Sequence, residues 1–348
     1  MGLCGQVGSA SAPAGLLAVH AHPDDETLAT GALLAAWAGA GLPVTVVTCT
    51  RGELGEVIGP DPAHLEGDGP ALAARRELEL AAALEALGVS DHAFLDELAA
   101  PLAGEGLRRF ADSGMAWAAT GRAGRLGDLP DDAFVAVGLD EAARPLARLL
   151  RERRPAVVVT YEPGGGYGHP DHVRAHEVTM RALELAADVG AHLGGAAAHV
   201  PGAVLWAVVG AGVLRSAYRE LPALAGVAEL VRTGVLTAPD PAGPLASVAV
   251  PDGDIEVVVD VAGVLDLVAA ALAAHATQVH AIWVDPARAA AAARPGPAGD
   301  ALPVVIGCYA LSNDVIVPLL SRESYRRARG ATVSVDDVAW PAGVRPVA

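Results

Sequence analysis

The chain has no lysine. All 24 of its basic residues are arginine, set against 41 Asp and Glu, for a formal net charge of −17. That balance, with no basic patch along the chain, excludes a surface built for nucleic acid or for anionic membranes. Cysteine is scarce as well. Cys4, Cys49 and Cys308 are odd in number and far apart. They form neither a disulfide framework nor a paired metal motif, so a reducing, cytoplasmic compartment is expected. Long apolar runs are missing too. The longest uncharged apolar stretch, Val200 to Leu214, is interrupted by Pro201 and several glycines. It falls short of the roughly 18 to 20 residues a membrane span needs, and reads as a core strand with its flanks. The N-terminus lacks the charged and apolar regions of a signal peptide, and none is expected.

What is present is a succession of short apolar runs and amphipathic helices in a chain of 348 residues, enough for one large domain or two smaller ones. Leu16 to Val19 is apolar on both faces, ends in two histidines, and reads as a buried parallel strand. A helix follows from Thr27 to about Ala40, with Asp24 or Asp25 as its cap. Pro43 to Thr50 is a second β-branched strand, Ala71 to Leu87 an amphipathic helix stopped by Gly88, and Ala93 to Leu95 a third strand. Leu102 to Pro130 is weakly patterned loop. A helix from Leu139 to Arg153 leads into the strongest strand, Ala156 to Tyr161, and another helix runs from Asp171 to about Ala187. Alternating strands and helices predict an α/β, Rossmann-like fold, a mostly parallel sheet with helices on both faces. Beyond a small-residue linker the texture changes. Strands are expected at Val204 to Val209 and Ile255 to Val261, a helix at Leu265 to Ala276, and a flexible Ala/Pro/Gly insertion at Ala287 to Ala301. This divides the chain into a domain at 1–190 and a smaller C-terminal α+β part at 200–348 that completes the cleft.

Polar residues gather at two strand ends. His20, His22, Asp24 and Asp25 follow the first strand, and His169, Asp171 and His172 follow the strongest one, each group carrying a His-Pro-Asp sequence. Parallel strands bring such ends to one rim, where open α/β sheets place their ligands. Two imidazoles and a carboxylate make a three-donor set typical of catalytic zinc. Satisfied core histidines and helix caps are the structural alternative.

His22-Pro23-Asp24-Asp25-Glu26 and Gly168-His169-Pro170-Asp171-His172 resemble the two signature motifs of the LmbE-like (PIG-L) family of zinc-dependent N-deacetylases. Within it, finer matches resemble the branch that deacetylates N-acetylglucosaminyl-inositol in mycothiol biosynthesis. They are Val47 to Thr50 with Gly52 to Gly59, Asp112-Ser113-Gly114-Met115, His275-Ala276-Thr277-Gln278-Val279, and Ala310 to Asn313 with Pro318 to Leu320. The resemblance implies a metal-dependent amide hydrolase acting on a small amino-sugar inositol. It assigns His22, Asp25 and His172 to one Zn2+, with Fe2+ as another divalent candidate, and makes Asp24 the general base. His169 would steady the oxyanion or protonate the leaving amine, Asp171 would orient His169, and Tyr167 would help hold the oxyanion. Arg76, Asp112 and Glu56 match positions that hold the sugar. His20 reads as a packing or supporting histidine, and His64, His92, His192 and His199 as surface residues. Two rivals carry the same motifs: the amidase that cleaves mycothiol S-conjugates, and a sugar-binding relative without catalysis. The sequence departs from the family at Glu162, where Asp is usual, at Ser324-Tyr325, where His-Tyr is usual, and in a longer segment from Trp283 to Val304.

Overall fold

The computed structural model describes residues 15–59, 62–98, 108–119, 122–124, 129, 132–294, 304–328 and 338–347, with backbone alone for 116–124. The chain opens with β1 (Leu16–His20), α1 (Asp25–Gly39), β2 (Val44–Thr48), α2 (Gly69–Leu87) and β3 (Asp91–Phe94). A short hairpin, β4 (Ala116–Ala119) and β5 (Arg122–Gly124), precedes α3 (Leu139–Arg153) and β6 (Val157–Tyr161). The single turn α4 (Gly165–Gly168) runs into α5 (Pro170–Ala187), followed by β7 (Ala203–Gly210), α6 (Ala211–Glu220) and α7 (Ala225–Arg232). Then come β8 (Ala249–Val250), β9 (Val257–Asp260), α8 (Leu265–Ala274), β10 (His280–Val284) and α9 (Pro286–Ala292). The chain ends with β11 (Val305–Ala310), β12 (Ile316–Leu320), β13 (Arg322–Arg327) and β14 (Val344–Pro346).

The main sheet runs β14-β9-β13-β7-β6-β1-β2-β3, with β8 beside β7. From β7 to β3 the pairs are parallel, and β13, β9 and β14 add on antiparallel. The reason for the unbroken apolar runs is visible in the two cores. Leu16, Ala18, Val157 and Val159 pack on one face with α1, α2 and α8, while Leu17, Val19 and Val158 pack on the other with α3 and α5. Each such side chain, fully buried, contributes roughly 1.5–3 kcal/mol.

The expected division near residues 190 to 200 runs through this sheet, since β7 pairs with β6 in parallel register from Val157↔Ala203 to Tyr161↔Ala207. A separate sheet, β10-β11-β12, packs on α6 and α7 through Ala217, Leu221, Val227, Val305 and Ile316. The insertion expected at Ala287 to Ala301 begins instead as α9, capped by Asp285, which accepts from the Ala287 and Arg288 amides; residues 295–303 lie outside the described residues, as does Cys4. Among the described residues no helix is long and apolar enough to cross a membrane.

The helix ends follow the sequence reading in part. Gly88 stops α2 in the left-handed region at φ 77, as its lack of a Cβ allows. At α1 neither aspartate caps by side chain in the usual way: Asp24 makes no cap hydrogen bond, and Asp25 Oδ2 accepts backward from the His22 amide at 2.9 Å. Arg151 reaches under the far end of α5 and donates to the carbonyls of Leu185, Ala186 and Asp188, fixing the helix whose first turn carries His172.

Candidate metal centre and active site

Parallel strands β1 and β6 are direct neighbours, so their C-terminal ends deliver the two His-Pro-Asp sequences to the same rim. There His22 Nδ1, Asp25 Oδ2 and His172 Nε2 converge. The three pairwise separations are 3.3, 3.4 and 3.3 Å. Three donors about 2.0–2.1 Å from a tetrahedral zinc would stand about 3.3–3.4 Å apart, so the spacing fits such an ion.

The tautomers fit as well. His22 Nε2 faces Asp171 Oδ2 at 3.3 Å and Asp112 Oδ1 at 3.6 Å, so its proton sits on Nε2 and the Nδ1 lone pair is free. His172 Nδ1 faces the Gly165 carbonyl at 3.2 Å, which leaves the Nε2 lone pair free. Carboxylate or carbonyl on the far nitrogen is how proteins orient metal-binding imidazoles. Without a cation, two imidazole lone pairs and a carboxylate oxygen face one another. The charge balance points the same way. Burial works against a charged His22, yet Asp112, Asp171 and Asp25 lift its pKa well above the ordinary value. Burial would raise Asp25, but His172 and His22 hold it well below the carboxylate range. The cluster favours positive charge at its centre.

Asp24 lies beside the triangle in a different conformation. Its backbone has φ 133, sparsely populated for a side-chain-bearing residue and costing about 1–3 kcal/mol. Arg76 Nη2 stands 3.2 Å from Asp24 Oδ2 and donates to the Pro23 carbonyl at 2.6 Å, while Nη1 donates to the Gly52 carbonyl at 2.8 Å. Gly52, at φ 65, leaves room for this guanidinium: a Cβ there would lie 2.1 Å from Arg76 Nη1. Burial raises the Asp24 pKa to about 6 against the opposing pull of Arg76.

His169 Nδ1 accepts from the Asp171 amide at 3.1 Å, so the neutral ring carries its proton on Nε2. Burial, aided by His22 and His172, pushes its pKa down to about 2 and keeps it neutral. The Asp171 carboxylate does not orient His169 as expected. It accepts from the Ser113 amide and hydroxyl at 2.8 and 2.5 Å and faces His22, so only its backbone N–H reaches His169. Tyr167 stands edge-on to the His169 and His172 rings. Its glycine-flanked turn is held by Glu162, the departing residue, which accepts from the Gly164 and Gly166 amides and the Ser247 hydroxyl.

Arg76 and Asp112, expected at a sugar, are each 3% exposed and engaged within the protein. Asp112 accepts from the Leu54 and Gly114 amides and stands behind His22. Glu56 is exposed on the 52–59 loop, its carbonyl accepting from Gln278. His20 is buried against Thr30 and edge-on to Tyr161, as a packing histidine should be. His64 and His192 are exposed as expected. His199 is buried, not superficial, with Nε2 at 2.9 Å from the Pro155 carbonyl, and His92 is half-buried against Thr48.

Sequence reasoning missed Tyr161. Its hydroxyl accepts from the Ala21 amide at 2.8 Å, and its ring stacks on His172 with centroids 4.4 Å apart. It ends a strand in sequence, and no local pattern announces a contact to a residue so distant. An adjoining cavity of about 370 Å³ runs from Asp25, Tyr167 and His172 to Tyr218, Tyr309 and Leu319.

The sequence has relatives. A family model for the PIG-L GlcNAc-PI de-N-acetylases matches residues 17–183. The chain is 47% identical over 91% of its length to a 1D-myo-inositol 2-acetamido-2-deoxy-alpha-D-glucopyranoside deacetylase of Kineococcus radiotolerans, covering 78% of that protein. Proteins of the same description from Streptomyces griseus and Rhodococcus opacus are 41% and 40% identical, over 90% and 91% of this chain and 83% and 92% of theirs. The two rim sequences that build the donor triangle lie within the matched region, and the chain belongs to the PIG-L (GlcNAc-PI de-N-acetylase) family.

Proposed function

We propose that the chain is a metal-dependent amide hydrolase of mycothiol biosynthesis. It removes the N-acetyl group of 1D-myo-inositol 2-acetamido-2-deoxy-alpha-D-glucopyranoside, giving acetate and the free amine. The relatives carry that activity in their descriptions. The observation that supports it most is the triangle of His22, Asp25 and His172, with both imidazoles held in the tautomer that turns a lone pair inward.

These three residues would hold the divalent ion, taken here as zinc. Such an ion supplies Lewis-acid polarisation of an amide carbonyl and lowers the pKa of water. The protein's own groups do the rest. Asp24, ionised above about pH 6, takes the proton of the attacking water. As the carbonyl carbon becomes tetrahedral, the His169 Nε2–H and the Tyr167 hydroxyl donate to the developing oxyanion. The C–N bond then breaks, and the amine leaves with the proton that Asp24 took. Arg76 holds Asp24, Asp112 and Asp171 hold His22, and Glu56 contacts the sugar from the rim. The part of the chain beyond residue 200 walls the cleft.

The S-conjugate amidase of the same family is the second reading, and the apolar lining of the cavity (Val208, Leu214, Val317, Leu319) favours it. Offering both substrates to the purified protein decides. Faster release of acetate from the acetamide is expected, and faster turnover of the S-conjugate overturns the assignment. Metal analysis of protein prepared without added zinc tests the identity of the ion.

A further inference from the structure

We propose that His275 is a positioning residue for Asp24, acting through Glu26; this rests on Asp24 being the base. His275 follows α8 and closes a turn in which its carbonyl accepts from the Gln278 and Val279 amides. Its ring is wholly buried, with Nε2 2.7 Å from Glu26 Oε1, a contact spanning 249 residues of sequence. The Thr27 hydroxyl donates to the same oxygen at 2.5 Å. The other Glu26 oxygen accepts the Asp24 amide at 2.9 Å. Asp24 is the strained residue at φ 133. Such a conformation persists only where its surroundings over-determine it. Arg76 restrains the Asp24 side chain, and Glu26 restrains its backbone. Glu26 in turn is held from the far side by an imidazole that the C-terminal half delivers. The same turn is anchored independently, since Thr277 donates to Glu79 on α2 through both its amide and its hydroxyl. That second anchor separates the role of His275 from general stiffening of the turn.

The test compares His275→Ala, His275→Gln and the control Thr277→Val. Metal content, kcat and KM are measured for each, with amide hydrogen exchange at Asp24 in the metal-free protein. His275→Ala lowers kcat by about 10- to 100-fold, the range expected when a reacting group is displaced by up to an ångström. Metal content and KM stay near wild type, and the Asp24 amide exchanges faster. His275→Gln, whose side-chain amide still offers Glu26 a donor, recovers most of the loss. Thr277→Val lowers the melting temperature and leaves kcat and the Asp24 amide unchanged. Should His275→Ala not fold, Glu26→Gln is read by the same measurements. Unchanged exchange and kcat in a folded His275→Ala protein overturn the proposal, as does an equal loss of kcat in Thr277→Val. A wild type without turnover overturns instead the function proposed above, and the exchange measurement alone then decides the role of His275.

Discussion

Two clusters of charged side chains, each with a buried centre, stand at neighbouring strand ends, and they differ in where their positive charge comes from. After β2, Arg51 donates to Asp96, to Glu97 at 2.7 Å and to Glu77 at 3.4 Å, with its guanidinium 3.8 Å over the Phe94 ring. That cluster carries its own cation and is closed. After β1 and β6, the carboxylates of Asp25, Asp112 and Asp171 surround His22, and among the described residues no guanidinium is bonded to any of the three. That cluster is open, and it raises His22 toward protonation for want of anything better. The first network holds its own guanidinium and ties a loop down, whereas the second has none, and perturbed groups of that kind cluster at functional sites.

The contrast can be broken from either side. The largest effect is expected at the open cluster. Asp24→Ala lowers turnover by about 10²–10⁴-fold, the usual worth of a general base, while metal content by elemental analysis stays at the wild-type level. Surviving activity would mean another group takes the proton. At the closed cluster, Arg51→Ala leaves Asp96 buried without its partner. The cost is about 3–5 kcal/mol of stability, read as a lower urea midpoint, with metal content unchanged. An Arg51 variant that loses metal but keeps its stability would erase the distinction between the clusters.

Acid sharpens the comparison. Asp24 must be ionised to accept a proton, and its pKa is raised to about 6. Turnover therefore falls about tenfold per pH unit below that value and levels off above it. A profile flat down to pH 5 would remove Asp24 from the base role. The smallest effect is expected at Glu56, exposed on its loop. Glu56→Ala loses one solvent-accessible contact, so KM rises by about threefold with kcat unchanged, consistent with a net hydrogen bond of about 0.5–1.5 kcal/mol.

What was legible in the sequence was local. The run from Leu16, Pro43 to Thr50 and Ala156 to Tyr161 read as buried strands, found as Leu16–His20, Val44–Thr48 and Val157–Tyr161, because both faces of the sheet are covered, which makes the apolar runs continuous. Leu139 to Arg153 read correctly at both ends, its charges and leucines following a helical period. The histidines and aspartates of the two rim motifs were legible as a group. Their division of labour was less so. That Asp171 would turn to His22 and Ser113 depends on the 110–114 loop, whose approach has no periodicity to announce it. Arg76, expected at the sugar, is buried beside Gly52, whose missing Cβ leaves room for its guanidinium. His199, lone in a small-residue linker, gave no sign that Pro155 would take its ring nitrogen. His275 stood out as part of a motif without any visible task.

The order of the elements along the chain also sets a timetable. His172 follows His22 by 150 residues, so at about 5–20 residues per second a ribosome leaves the first donors alone for roughly 8 to 30 s before the third is made. His275 emerges later still, 249 residues after Glu26. During synthesis His22 and Asp25 would therefore stand as two of the three proposed donors on the growing chain. An ion held by all three would be captured only once β6 and α5 have folded beside β1. His275 reaches Glu26 after that, when the last third of the chain docks.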